Sequence, residues 1–223
     1  MTTNLIKYFK LFIHLYVFVG FNVASAGSYE DFLEAVKRDD AVKVQQLLGR
    51  GFDPNTAYPQ GQTALLIAIR EPSPKVASAL VASSKIDLNT LNAQDESALM
   101  LAALKGQFEL AEKMISKGAD VNKTGWTPLH YAASGGHVAV VRLLLEHHAY
   151  IDAISPNGTT PLMMASMYGS AAAVQALLEE GADPLLINLQ GLTALQFAQR
   201  ANRPDSAELI IKGIRSQRPA GQW

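Results

Sequence analysis

Gly125-Trp-Thr-Pro-Leu-His-Tyr-Ala132 is the stretch whose reading decides the fold. Thr127 before Pro128 predicts a helix start. The threonine hydroxyl accepts from a free N–H of the first turn, and proline stands where a missing N–H costs nothing. Leu129 and the pair Ala132-Ala133 recur at helical spacing. They make a narrow apolar face that lets a neighbouring helix approach closely. Gly135-Gly136 then turns the chain, and Val140, Val141, Leu144 and Leu145 form the apolar stripe of a second helix.

The same pattern returns along the chain. Gly61-Gln-Thr-Ala-Leu, Asp95-Glu-Ser-Ala-Leu, Gly158-Thr-Thr-Pro-Leu and Gly191-Leu-Thr-Ala-Leu align with Gly125-Trp-Thr-Pro-Leu, at successive spacings of 34, 30, 33 and 33 residues. A second signature precedes each copy: Gly51-Phe-Asp-Pro-Asn, Lys85-Ile-Asp-Leu-Asn, Gly118-Ala-Asp-Val-Asn, His148-Ala-Tyr-Ile-Asp and Gly181-Ala-Asp-Pro-Leu. Such a period marks a stacked repeat array, in which one helix pair cannot bury both faces alone. Asp and Asn in the second signature are expected to shape the turn by bonding to local backbone.

The pattern resembles the ankyrin repeat over about residues 28–213. The resemblance implies an all-α solenoid of about six stacked helix pairs joined by β-turn fingers. On that reading the repeat domain spans 27–214, with an N-terminal cap pair at 28–51 and repeats starting near 61, 95, 125 and 158. A C-terminal cap starts at 191, and a polar tail occupies 215–223. Two departures stand out. Gly118 to Gly125 is seven residues where the other copies have ten, which predicts a stunted finger and a notch beside it. Glu71-Pro-Ser-Pro-Lys75 replaces the glycine turn and predicts a longer, stiffened loop between helices.

Residues 1–26 read as an export signal: Lys7 and Lys10, an apolar run from Leu11 to Val23, then Ala24-Ser25-Ala26. The run is short of the roughly 20 residues of a membrane span. Cleavage after Ala26 takes the net charge from −1 to −3 and predicts a periplasmic or secreted, monomeric protein without a stable membrane anchor. An acidic balance without a Lys/Arg run argues against nucleic acid as a partner.

Chemistry-bearing patterns are scarce. The chain has no cysteine, which removes disulfides, thiolate nucleophiles and cysteine-held metals. His147 and His148 are adjacent, about 100° apart on a helix, and cannot easily share a metal ion. Asp53, Asp87, Asp120 and Asp183 recur at equivalent turn positions and read as scaffold. No catalytic residue, metal ligand or cofactor site is expected. The resemblance assigns His130 and His137 to bonding turn backbone, and places a protein partner in the concave groove of finger tips and first helices. Position within the repeat then selects Tyr58, Glu96, Trp126, Thr159 and Leu192 from the fingers, and Leu104, Met167 and Tyr168 from the first helices; Asn157, Gln190 and Arg200 occupy similar positions. Trp126 and Tyr168 lead, because such side chains anchor interfaces. The expected function is non-catalytic protein binding in the periplasm, as an adaptor or as an inhibitor of the immunity type. The alternatives are an envelope enzyme with a site on the solenoid, or a secreted effector acting on a host protein.

Overall fold

A hydroxyl residue opens the first helix of five successive pairs in the computed structural model, which describes residues 29–217; the export signal expected at 1–26 lies outside the described residues. Thr63, Ser97, Thr127, Thr160 and Thr193 each accept from the N–H three residues on, at 3.3–3.4 Å. Pro128 and Pro161 fill the first helical position. The helices so started are α3 (Ala64–Arg70), α5 (Ala98–Lys105), α7 (Pro128–Gly135), α9 (Pro161–Met167) and α11 (Ala194–Arg200). Their partners are α4 (Pro74–Ala82), α6 (Phe108–Ser116), α8 (Val138–Glu146), α10 (Ala171–Glu179) and α12 (Pro204–Gln217). A first pair, α1 (29–37) and α2 (Ala41–Gly49), completes six.

The pairs stack in two rows. From α3 to α11 each inner helix packs on the next, and α2 to α12 do the same in the outer row. Alanine makes the inner row thin: Ala102, Ala103, Ala132, Ala133, Ala165 and Ala198 are fully buried. The closest approach is at Gly169, where an added Cβ would overlap the carbonyl oxygen of Ala133. Gly136 differs in kind: its φ of 72° lets it cap α7 in the left-handed region. Larger side chains fill the space between rows, among them Leu99, Met114, Leu144 and Leu162.

Two ladders of polar contacts tie repeat to repeat. Asn55, Asn89 and Asn122 each accept from a backbone N–H of the following repeat, at Asp87, Asp120 and Tyr150, over 2.7–2.9 Å. Their amides donate to the carbonyls of Lys85, Gly118 and His148. Only the aspartates bond locally, Asp53 to Asn55 N and Asp87 to Asn89 N. The asparagines therefore join neighbouring repeats instead of shaping their own turn. On the other side His137 donates to the carbonyl of Leu104 at 3.0 Å, Ser170 to Gly136 at 3.1 Å, and Arg203 to Gly169.

Three places refine the sequence reading. The loop between α3 and α4 is three residues, one more than at the glycine turns after α5 and α7 but the same as between α9 and α10, and Pro74 is already the first residue of α4. α12 runs to Gln217, past the expected end of the repeat domain at 214; Arg215 lies in the last turn, where a cation suits the helix dipole. His148 stands where Gly118 and Gly181 end equivalent helices, and it adopts their left-handed conformation, with a φ of 64°. The stunted finger has a recess of about 800 Å³ beside it, lined by Asn122–Gly125 and Tyr150–Ile154. Elsewhere adjacent fingers pair through backbone, Ala93 N to Gln60 O and Leu189 N to Asn157 O, both at 3.0 Å. At the equivalent position after the stunted finger stands Pro156, which has no N–H to give.

Candidate functional site: the concave groove

The groove face is built by repeat position. Residues just before each capping threonine or serine project from the fingers, and residues near the end of each inner helix face them. Five of the eight side chains selected from sequence meet in one cavity of about 430 Å³: Trp126, Thr159, Met167, Tyr168 and Leu192. Met164 and Phe197 complete its apolar wall, and Asn157, Asn188, Gln190 and Arg200 supply its polar groups.

Each anchor is held differently. Trp126 is half-buried and meets the His130 ring edge-on, with centroids 5.2 Å apart. Tyr168 is 56% exposed at the end of α9, while Leu192 and Thr159 are buried at the cavity floor. Thr159 is fixed by its backbone: its N–H donates to Ser155 Oγ at 3.0 Å and its carbonyl accepts from His130 Nε2 at 2.9 Å. His130 also accepts the Thr127 N–H on Nδ1 at 3.2 Å, so a neutral ring satisfies both nitrogens. Burial pushes its pKa down to about 4.

The other three selected residues lie apart from this cavity. Leu104 is exposed at the end of α5. Glu96 is engaged inside the protein: its carboxylate takes the guanidinium of Arg70, the amide of Asn92 at 2.7 Å and the hydroxyl of Tyr131 at 3.2 Å. Burial, and then that carboxylate, push the Tyr131 phenol up to about 12. Tyr58, expected on the groove, is buried instead, its ring 4.6 Å from that of Tyr29. Among the described residues the first pair, α1 and α2, precedes this finger, and Tyr29 of α1 packs on it.

Met164, Phe197 and Asn188 were not anticipated. Met164 and Phe197 sit three residues before Met167 and Arg200 on the same helices, so the i, i+3 rule places them on the same face. For Asn188 the signal was Leu192, which stands where the second finger has Glu96. Among the described residues, no group of three His, Asp or Glu side chains is gathered as a metal site would require. No described helix is long and apolar enough to cross a membrane.

Comparison with known proteins gives one family. A family model of ankyrin repeats (3 copies) matches residues 32–124, 72–155, 122–188 and 152–219. Among solved structures, an ankyrin repeat domain from Acinetobacter baumannii AYE is similar with a TM-score of 0.70 and 26% identity, covering 82% of this chain and 96% of that one. A chain from the complex of a predatory endopeptidase of Bdellovibrio bacteriovorus with an immunity protein is similar with a TM-score of 0.70 and 28% identity, covering 82% of this chain and 97% of that one. Among curated proteins, protein phosphatase 1 regulatory subunit 27 of Mus musculus is 36% identical over 76 residues, 33% of this chain and 49% of its own length. A glycerophosphocholine phosphodiesterase of Candida albicans is 33% identical over 96 residues, 40% of this chain but 8% of its own length. The chain therefore spans less than half the length of these curated relatives.

Proposed function

The chain belongs to the ankyrin-repeat family, and from that premise we propose that it is a non-catalytic binding protein that holds a protein partner in its concave groove, with the role of an envelope inhibitor. The observation that carries this reading is the cavity where Trp126, Met167, Tyr168 and Leu192 converge. It is concave, mostly apolar and edged by a few polar groups, which is the make-up of a recognition pocket. Aromatic side chains half-exposed around such a pocket are the usual anchors of an interface.

Two further points support the inhibitor role over the adaptor role. The likeness to a chain of an endopeptidase–immunity protein complex extends over 97% of that chain. The sequence of residues 1–26 suits export, which would bring this protein to hydrolases of the same compartment. The location proposed is the periplasm of a two-membrane bacterium.

The test uses the chain from Gly27 onward as bait on an envelope fraction, beside a Trp126→Ala/Tyr168→Ala variant. One partner held by the native bait and lost by the variant, whose hydrolytic activity falls on adding the native protein, is the expected result. A partner held equally by both baits would sink the groove reading. A partner with undiminished activity would sink the inhibitor role and favour the adaptor.

A further inference from the structure

The groove cavity contains a polar group with nothing to bond. Asn188 is 4% exposed, and its Oδ1 accepts from the N–H groups of Gln190 and Leu192, each at 3.0 Å. Those two bonds fix which way the amide points. Its Nδ2 is then left buried without a partner. A buried donor without an acceptor is costly, and native proteins seldom carry one without a use.

The molecule itself shows what such a donor takes. In the second finger Asn92 makes the same two backbone bonds, accepting from the N–H groups of Gln94 and Glu96, both at 2.9 Å. There Nδ2 donates to the Glu96 carboxylate at 2.7 Å, and Arg70 pairs with the same group. In the last finger Leu192 stands in place of Glu96, so the carboxylate is missing. The place of Arg70, one repeat before Asn92, is held before Asn188 by Met167, so the cation here comes instead from Arg200 of Asn188's own repeat, which among the described residues makes no ion pair. Asn188 and Arg200 line one cavity, with no acidic residue among its walls. Charge complementarity therefore asks for an anion beside an apolar group.

We propose that this cavity receives an acidic side chain of a partner segment, together with a neighbouring aromatic residue of that segment. Asn188 Nδ2 takes the carboxylate, as Asn92 Nδ2 takes Glu96, with Arg200 as its counter-charge from the same cavity, and the ring lies against Phe197, Met164 and Trp126. This rests on the groove reading above and names the chemistry of its partner.

The probe is an acetylated, amidated peptide, Gly-Glu-Phe-Gly, compared with its Glu→Gln form and with a free-acid Gly-Gln-Phe. Trp126 fluorescence reports binding, in a protein carrying Trp223→Phe so that one tryptophan remains. The Glu peptide should bind about tenfold or more tightly than the Gln peptide, since a charge-assisted bond is lost. Leu192→Glu should abolish that preference by filling the site from within, as Glu96 does. Asn188→Asp keeps both backbone acceptor bonds and should reverse the preference while thermal unfolding stays close to native. Equal binding of the Glu and Gln peptides would overturn the proposal. So would tighter binding of the free acid, which would assign the site to chain termini. If the peptides show no preference while Trp126→Ala/Tyr168→Ala still loses the envelope partner, this inference falls and the groove reading survives.

Discussion

Asp152 sits where the Asn55, Asn89 and Asn122 ladder continues toward the last finger, and a carboxylate can do only half of the work. It accepts the N–H of Asp183 at 3.1 Å but has no N–H to return to a carbonyl of the next repeat. Partial burial, then the nearby Asp183, raise its pKa, and the backbone bond offsets part of that. A carboxyl with a raised folded pKa helps stability below its unfolded pKa, and that help is lost as pH rises through the folded value. At neutral pH the ionised group is therefore a weak point. Asp152→Asn should stabilise the protein by about 1 kcal/mol at pH 7, with the gain shrinking as pH falls into the carboxylate range. Urea denaturation at two pH values measures this. His130 carries the opposite sign. Its pKa is lowered to about 4 from 6.5, so the neutral ring's contribution is complete above about 6.5 and drains away as pH drops toward 4. His130→Met, the residue Met100 and Met163 supply at the same position, should flatten the fall in unfolding midpoint across that window. An unchanged slope would place the acid sensitivity elsewhere.

Helices were the most legible level in the sequence, because each began with its own cap and carried its own spacing. Gly169 illustrates what spacing hides. It holds the repeat position of the turn glycine Gly136, yet its φ is ordinary and its role is steric, against the Ala133 carbonyl one repeat away. Gly169→Ala should cost about 2 kcal/mol or more, since backbone lies where the methyl must go. At the end of α8 the reverse holds. His148 adopts a glycine conformation without glycine's freedom, so His148→Gly should raise stability by about 0.5 kcal/mol after the entropy of the unfolded chain is counted. Thermal unfolding of the two variants should shift in opposite directions. The groove was half legible for a related reason. Repeat position singled out Trp126, Met167, Tyr168 and Leu192, but Tyr58 and Glu96 obeyed the same rule and are occupied by Tyr29 and Arg70, contacts no single repeat encodes. The reach of each asparagine into the next repeat escaped for the same cause: its partners stand 26 to 32 residues away.

The inner helices α3 to α11 pack in an unbroken row, whereas the fingers are joined only in places. Backbone pairing joins the fingers at Gln60–Ala93 and at Asn157–Leu189, and Pro156 withholds it beside the stunted finger. Such arrays behave as chains of nearest-neighbour couplings, and they open where a coupling is weakest. Hydrogen exchange should accordingly find the Ala93 and Leu189 amides protected and the Lys123 amide quick to exchange, with opening around residues 118–125 ahead of either end. The ladder of asparagines has a consequence in heredity as well. Each rung joins a side chain of one repeat to main chain of the next, so the following repeat need bring no matching residue of its own. A duplicated or excised repeat would thus be joined correctly from its first generation. Selection would then be left free to act on finger residues such as Leu192, one codon at a time.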